Sequence, residues 1–164
     1  MQTCRILVSD DAVLVPDYVA MFHKALRDVR HLYDESPLER SKNKYTEEYI
    51  ERNLGTNSKN RFVAHFTDES LDGLLIEGFD SLNGERTTID WVIAEVKSRG
   101  IGTRLIKDCI ARAKVENKDM VALSVSKKNI EARRLYEKLG FRSGGSSFNG
   151  TMEVMGYLLG RPVF

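Results

Sequence analysis

The sequence has 164 residues, 41% of them hydrophobic and 30% charged, which predicts one globular domain over residues 1–164. Its 25 lysines and arginines nearly cancel its 24 aspartates and glutamates, so it lacks the positive field that nucleic-acid-binding proteins use, and we expect no nucleic-acid partner. The absence of an apolar run of about 18 residues and of a charged-then-apolar leader predicts a cytoplasmic protein that does not bind membranes.

The first third of the chain predicts a strand followed by two helices. Residues 4–8 (CRILV) are short and β-branched, which favours a strand, and residues 9–11 (SDD) offer side-chain oxygens that can cap a helix. Apolar residues then recur at three- and four-residue intervals, as on one helix face: Val19, Phe22, Leu26, Val29 and Tyr33. In the polar segment 36–61, the spacing from Tyr45 to Leu54 predicts a second, shorter helix within a long connection. Such connections often carry substrate-binding residues.

The middle of the chain predicts three strands. Residues 61–66, 71–79 and 86–92 are rich in β-branched and aromatic side chains, and the turn-forming segments TDES (67–70) and DSLNGE (80–85) separate them. An antiparallel meander is the economical arrangement. In the third strand the side chains alternate between two faces: Thr87, Ile89 and Trp91 on one, Thr88, Asp90 and Val92 on the other.

A helix is predicted after these three strands, and another strand is predicted after that helix. Ile101, Leu105, Cys109 and Ala113 form a helical stripe, and residues 120–126 alternate again. A strand, a helix and a strand in this order imply a right-handed crossover between parallel neighbours. We therefore predict a mixed sheet and an α+β fold.

Two glycines lie where this helix begins. In VKSRGIGTRLI (96–106), Gly100 and Gly102 separate the preceding strand from the helix. Basic residues flank them: Lys97, Arg99 and Arg104. The P-loop pattern is absent, and the dinucleotide pattern fails because Leu105 stands where a third glycine is needed. The segment is either a plain strand-to-helix turn or an anion site, because the first N–H groups and the positive dipole end of a helix attract phosphate.

A second informative helix lies at residues 129–141, NIEARRLYEKLGF. Asn129 is a typical N-cap and Gly140 a typical helix end. One apolar face is formed by Ala132, Leu135, Tyr136 and Leu139. Asn129 and Tyr136 lie two turns apart on one side of the helix, about 10 Å at the helical rise. Considered alone, Asn129 would be interpreted as a helix cap, and Tyr136 would be interpreted as an aromatic residue of the core.

Together the two segments resemble the GNAT superfamily of acetyl-CoA-dependent N-acetyltransferases. The family's acyl-CoA loop, [Q/R]-x-x-G-x-[G/A], reads KSRGIG over residues 97–102. The family's helix pattern, N-x-x-A-x-x-L-Y-x-K-L-G-F, is matched at every fixed position over residues 129–141. Close resemblance covers residues 86–142. Two positions depart from the loop pattern: Lys97 keeps the charge but lacks the guanidinium fork, and Ser98 stands where glycine is common.

The resemblance implies a fold and a set of residue roles. The fold would be GNAT-like, with a mostly antiparallel sheet of about six to seven strands flanked by about four helices. Acetyl-CoA would be the co-substrate, held by these residues: Trp91, Val92, Ser98, Arg99, Gly100, Ile101, Gly102, Thr103 and Asn129. The small side chains of Ala122, Ser124 and Ser126 would leave room for its pantetheine arm. Tyr136 would protonate the departing CoA thiolate.

The implied reaction is transfer of an acetyl group to a primary amine by direct attack in a ternary complex. The amine must attack in its neutral form, so a carboxylate is expected to accept its proton, directly or through water. The candidates are Glu77, Asp90 and Glu95, each of which also reads as an ordinary surface or strand-edge charge. Asp90 ranks first because it precedes Trp91 and Val92, and it is the second predicted catalytic residue with Tyr136.

The sequence does not determine the acceptor amine. By resemblance, residues 12–60 and 142–151 would frame its site, and neither stretch has a strong charge bias. Small amines, amino sugars and peptide N-termini are all compatible with the sequence. The alternative function is an acyl-CoA-binding or regulatory module of the same fold without turnover, against which the presence of Tyr136 argues. A homodimer also stays open, and acyl-chain preference is not fixed by the sequence.

No metal site and no disulfide framework are expected. The three histidines, His23, His31 and His65, show no metal-ligand spacing. Cys4 and Cys109 lie far apart and form no C-x-x-C pair, which favours two reduced thiols, with one distant disulfide as the alternative.

Overall fold

The computed structural model describes residues 1–79, 85–147 and 149–160. Within them the strands are β1 Gln2–Ile6, β2 Asn60–Thr67, β3 Ser70–Phe79, β4 Arg86–Ala94, β5 Met120–Ser126, β6 Arg142–Ser147 and β7 Met152–Leu158. The helices are α1 Val15–Asp28, α2 Glu35–Lys44, α3 Glu47–Arg52, α4 Ile101–Val115 and α5 Ile130–Leu139. Short 3₁₀ segments, Ser9–Leu14 and Arg30–Leu32, stand before and after α1.

The seven strands form one mixed sheet in the order β1-β2-β3-β4-β5-β7-β6. Every neighbouring pair is antiparallel except β4 and β5, which are parallel and are connected through α4. The predicted α+β class, the meander over β2 to β4 and the parallel crossover are confirmed. The predicted turn at residues 80–85 lies outside the described residues except for Glu85.

Helices cover both faces of the sheet. On one face α4 and α5 bury an apolar cluster whose members include Val63, Leu75, Leu105, Ile106, Cys109, Val121 and Phe141. On the other face α1, α2 and α3 bury a second cluster that includes Tyr18, Phe22, Leu38, Ile50, Phe62 and Leu74. Because both faces are covered, a small ligand can reach the middle of the sheet only where two strands separate. In the described part of the chain no helix is long and apolar enough to cross a membrane.

Both thiols are free. Cys109 is fully buried on the inner face of α4, and Cys4 lies half-buried at the edge of the same cluster. Burial, followed by the nearby charge of Asp108, raises the pKa of Cys4 to about 11. Both side chains therefore act as small apolar groups at neutral pH.

Two helix boundaries differ from the sequence prediction. The chain leaves α1 at Val29, so Tyr33 lies in extended backbone (φ −128°, ψ 154°) and not on the helix face that its spacing suggested. The polar connection holds two helices, α2 and α3, where one was predicted. They are separated at Tyr45, and the Thr46 hydroxyl caps α3 by accepting from the Tyr49 N–H at 3.2 Å.

β4 and β5 separate halfway along their length. Their pairing ends at Ile89 and Leu123, although β4 continues to Ala94 and β5 to Ser126. At the same point β4 carries a β-bulge, because Ile76 and Glu77 on β3 face Trp91 and Ile89, which leaves Asp90 as the extra residue.

The bulge reverses the faces of β4 beyond residue 90. Ile89 and Val92 pack with the α4 cluster, whereas Trp91 packs with the α1 cluster. The predicted alternation, with Ile89 and Trp91 on one face, is therefore wrong. One extra residue shifts every following side chain to the opposite face of a strand.

Candidate active site

The gap between β4 and β5 opens into a cleft of about 1130 Å³, here called the first cleft. Its walls are the end of β4, the turn into α4, the start of α4 and one side of α5. These predicted cofactor-binding residues line it: Trp91, Val92, Ser98, Gly100, Ile101, Gly102, Thr103 and Asn129. The predicted catalytic residues Asp90 and Tyr136 line it as well. Arg99 is exposed and lies outside the lining.

The turn into α4 leaves open space in front of the helix. Gly100 is the N-cap and has a φ of 75°, a conformation that glycine adopts at no steric cost. A Cβ atom added to Gly100 or Gly102 would meet no described atom within 4 Å. The first N–H groups of a helix have no partners inside the helix, so at this turn they are available to an anion in the cleft.

α5 begins on the opposite wall. The Asn129 Oδ1 accepts from the Ala132 N–H at 3.2 Å and so caps the helix, as predicted. The Asn129 side chain also lies near the Tyr33 hydroxyl, where it opposes the rise that burial causes in the pKa of that phenol. Asn129 is therefore fixed at the rim of the cleft, within reach of a ligand that enters between the strands.

Tyr33 is a cleft residue that the sequence pattern assigned to a helix face. Its ring lies 5.7 Å from the Trp91 ring, centroid to centroid, and its hydroxyl lies near the Ser126 backbone and the Asn129 side chain. The Ser126 hydroxyl in turn donates to the Leu32 carbonyl, which ties the 3₁₀ turn after α1 to the end of β5. Burial raises the pKa of Tyr33.

Tyr136 is buried in the wall of the first cleft, with 9% of its surface exposed. Its ring packs on Phe141, with the two centroids 5.9 Å apart. Burial, followed by the proximity of Tyr33, raises the pKa of the Tyr136 phenol. The hydroxyl therefore stays protonated at neutral pH, as a proton donor must.

Asp90 stands on the bulge where the cleft narrows. Three donors hold its carboxylate: the Tyr45 hydroxyl at 2.5 Å, the Thr88 hydroxyl at 2.9 Å and the Asn60 Nδ2 at 3.3 Å. Burial, and then the Asp90 charge, raise the pKa of Tyr45, so Tyr45 remains a donor. A carboxylate offers about four acceptor positions, which leaves one for a substrate. Tyr45 and Asn60 were not predicted as site residues, since only the fold brings them to Asp90.

The other two carboxylates considered as bases lie elsewhere. Glu77 is fully buried, its Oε2 2.9 Å from the Arg61 Nε, and it accepts from the Arg112 Nε at 3.0 Å. This ion-pair cluster joins β2, β3 and α4. Glu95 is exposed, and neither Glu77 nor Glu95 lines the cleft. Asp90 is therefore the candidate that is placed for acid–base work.

A second cleft of about 490 Å³ meets the first at Asp90 and Trp91. It lies between α2 and the floor formed by β4, β5 and β7. Ala122 lines this second cleft and Ser124 borders both, whereas Ser126 is buried. Of the three small residues expected to make room for the pantetheine arm, only Ser124 therefore lines the first cleft.

Segment 142–151 does not supply the described wall of the second cleft. Residues 142–147 form the exposed edge strand β6, and residue 148 lies outside the described residues. Met152 and Val154 of β7 line the cleft instead. The expected contribution of residues 12–60 comes mainly from one face of α2 together with Tyr33 and Tyr45.

Comparisons with known proteins agree on family and fold. The sequence model of the acetyltransferase (GNAT) family matches residues 26–141, and no curated protein sequence matches the chain. The PaiA N-acetyltransferase from Thermoplasma acidophilum, solved with coenzyme A, superposes with a TM-score of 0.75 at 18% identity, over 96% of this chain and 99% of that chain. The ribosomal-protein-S18-alanine N-acetyltransferase from Escherichia coli gives 0.68 at 17% identity, over 99% and 97%. At these identities the likeness establishes a shared fold.

Proposed function

Since the chain belongs to the acetyltransferase (GNAT) family, whose sequence model spans well over half of it, we propose that it is an N-acetyltransferase that moves an acetyl group from acetyl-CoA to a primary amine. One observation carries the proposal. A protonated phenol, Tyr136, and a hydrogen-bonded carboxylate, Asp90, both line the cleft that opens between β4 and β5.

The first cleft fits acetyl-CoA in shape and in chemistry. The turn at Gly100 and the start of α4 offer N–H groups to the pyrophosphate, with open space over Gly100 and Gly102. Beyond Ile89 the β4 backbone has no β5 partner, so its polar groups can pair with the amides of the pantetheine arm. Asn129 would bind near the junction of pantetheine and phosphate.

The reaction then needs one bond made, one bond broken and three proton transfers. The amine nitrogen attacks the thioester carbon directly, in a complex that holds both substrates, and the carbon–sulfur bond breaks. Asp90 accepts the proton that the acceptor ammonium loses, directly or through water. Tyr136 gives its proton to the departing thiolate, and the proton that the attacking nitrogen loses as it becomes an amide returns to the Tyr136 phenolate, directly or through water. Each positioned proton transfer typically contributes about 10² to 10⁴ in rate.

The proposal is tested by thiol release from acetyl-CoA over a panel of primary amines, with the acetylated amine identified by mass spectrometry. We expect release that requires an amine and gives its N-acetyl product. Tight acetyl-CoA binding in calorimetry with no product from any amine would favour the alternative, an acyl-CoA-binding module. The single domain over residues 1–164, the cytoplasmic location and the homodimer remain predictions.

A further inference from the structure

The second cleft has a charge pattern that bears on its ligand. One face of α2 lies over it, presenting Pro37, Arg40, Ser41 and Lys44 at three- and four-residue spacing. The floor opposite carries Asp90. Among the described lining residues, Arg40 and Lys44 are the cations and Asp90 is the carboxylate.

Contacts at the end of α2 fix this helix face in place. The Trp91 Nε1 donates to the Ser41 hydroxyl at 3.0 Å, which joins the middle of α2 to β4. Tyr45, directly after α2, donates to Asp90. The Lys44 ammonium lies 5.0 Å from the centre of the Tyr45 ring, so a cation stands above the same side chain that holds the carboxylate. The Lys44 ammonium and the Asp90 carboxylate therefore both line the second cleft, and Tyr45 contacts each of them.

This pattern distinguishes between classes of amine. A polyamine placed with one ammonium on Asp90 would bring its second ammonium toward Lys44 and Arg40, where like charges repel. An amine that also carries an anionic group would meet a complementary charge at each end. A cleft of about 490 Å³ is within the usual size of a small-molecule site.

We propose that the acceptor is a small primary amine that also carries a carboxylate or a phosphate, with its ammonium on Asp90 and its anionic group facing Lys44 and Arg40. This inference rests on the proposed N-acetyltransferase function and specifies the acceptor class. The amine nitrogen would then lie at Asp90, where the second cleft opens into the first.

The test compares amines that differ only in the anionic group. Phenylalanine is paired with phenethylamine, lysine with cadaverine, and phosphoethanolamine with ethanolamine. The first two pairs test a carboxylate, and the third pair tests a phosphate. We expect kcat/KM to be at least about tenfold higher for the anionic member of at least one pair, the worth of one charge-assisted hydrogen bond. Equal or better turnover of the member without the anionic group in all three pairs would overturn the inference.

Three substitutions in α2 test whether Lys44 and Arg40 bind the anionic group. Lys44→Gln and Arg40→Gln should each lower kcat/KM for the amine with the anionic group by about 5-fold to 30-fold, chiefly through KM. The kcat/KM of the paired amine without that group should stay the same or rise, because a repelling charge is removed. Lys42→Gln is the matched control, since Lys42 lies in the same helical turn but does not line the cleft. An equal loss of kcat/KM in Lys42→Gln and Lys44→Gln would show that the effect comes from the overall positive charge of α2. That result would overturn the inference.

A binding measurement separates this inference from the proposed function. If no amine is acetylated, the amines with and without the anionic group are titrated calorimetrically into the CoA-saturated protein. Preferential binding of the anionic amine that is lost in Lys44→Gln supports the acceptor class while the proposed turnover fails. Binding that is the same for both amines, or no binding of either, overturns it.

Discussion

At the scale of single residues, the proposed chemistry depends most on Tyr136. Tyr136→Phe keeps the ring that packs on Phe141 and removes only the hydroxyl. We expect kcat to fall by about 10-fold to 10³-fold at neutral pH with nearly unchanged acetyl-CoA affinity, because a group that acts only in the transition state lowers kcat and not binding. Stopped-assay kinetics and calorimetry measure the two quantities.

Tyr157→Phe is the matched control for that variant. Tyr157 packs on the other side of Phe141, with centroids 5.6 Å apart, and does not line either cleft. Its kcat should equal that of the parent. If Tyr136→Phe turns over normally but unfolds at a lower temperature, Tyr136 is a core residue and the acid is another group.

Asp90 is the second residue on which the chemistry rests. Asp90→Asn is isosteric and removes the charge and the proton acceptor. We expect kcat/KM for the amine to fall by about 10²-fold or more with acetyl-CoA affinity retained. Glu95→Gln, an exposed carboxylate after the same strand, should behave as the parent. Equal small effects in the two variants would remove Asp90 from the mechanism.

At the scale of elements, the start of α4 carries the cofactor. Gly102→Val tests it better than a change at Gly100, whose φ of 75° would strain any side chain. A Cβ on Gly102 meets open space in the protein, so folding should be little affected. Acetyl-CoA affinity should fall by about tenfold or more, because the new side chain occupies the approach to the helix N–H groups.

Gly102→Ala is the size control, since the family loop pattern accepts glycine or alanine at this position. Its acetyl-CoA affinity should stay close to that of the parent. Calorimetry that finds parental affinity in Gly102→Val as well would place the pyrophosphate elsewhere.

The buried cluster around Glu77 joins β2, β3 and α4, the elements beneath the site. Glu77→Gln removes the buried carboxylate that Arg61 and Arg112 share, and it leaves each guanidinium with one carboxylate nearer the surface, Glu116 and Asp108 respectively. We expect the free energy of unfolding in urea to drop by about 3 to 5 kcal/mol. Glu48→Gln, which breaks the exposed pair with Arg52, should cost no more than about 1 kcal/mol. Similar small changes in both would show that the cluster does not stabilise the fold.

At the scale of the whole molecule, periodicity and order along the chain were enough to predict the α+β class and the β4–α4–β5 crossover. They could not locate β6, because the segment RSGGSS lacks β-branched residues and forms a strand only through its pairing with β7. Alternation also missed the bulge at Asp90, since one extra residue has no signature in composition.

The site residues also fall into a group that the sequence predicts and a group that it does not. Gly100, Gly102, Asn129 and Tyr136 belong to continuous segments with recognisable patterns, and they line one cleft. Tyr33, Tyr45 and Asn60 join the site through contacts between distant elements, for example across 45 residues from Tyr45 to Asp90. No local pattern encodes such a contact, so the acceptor side could not be built from the sequence.

The central claim is that an amine attacks acetyl-CoA directly while both are bound. The most direct test is the initial rate of thiol release as an accepted amine is varied at several fixed acetyl-CoA concentrations. Direct attack in a ternary complex predicts thiol release that requires the amine and double-reciprocal lines that intersect. Parallel lines, which indicate an acetylated enzyme intermediate, or release at the same rate without amine, would contradict it.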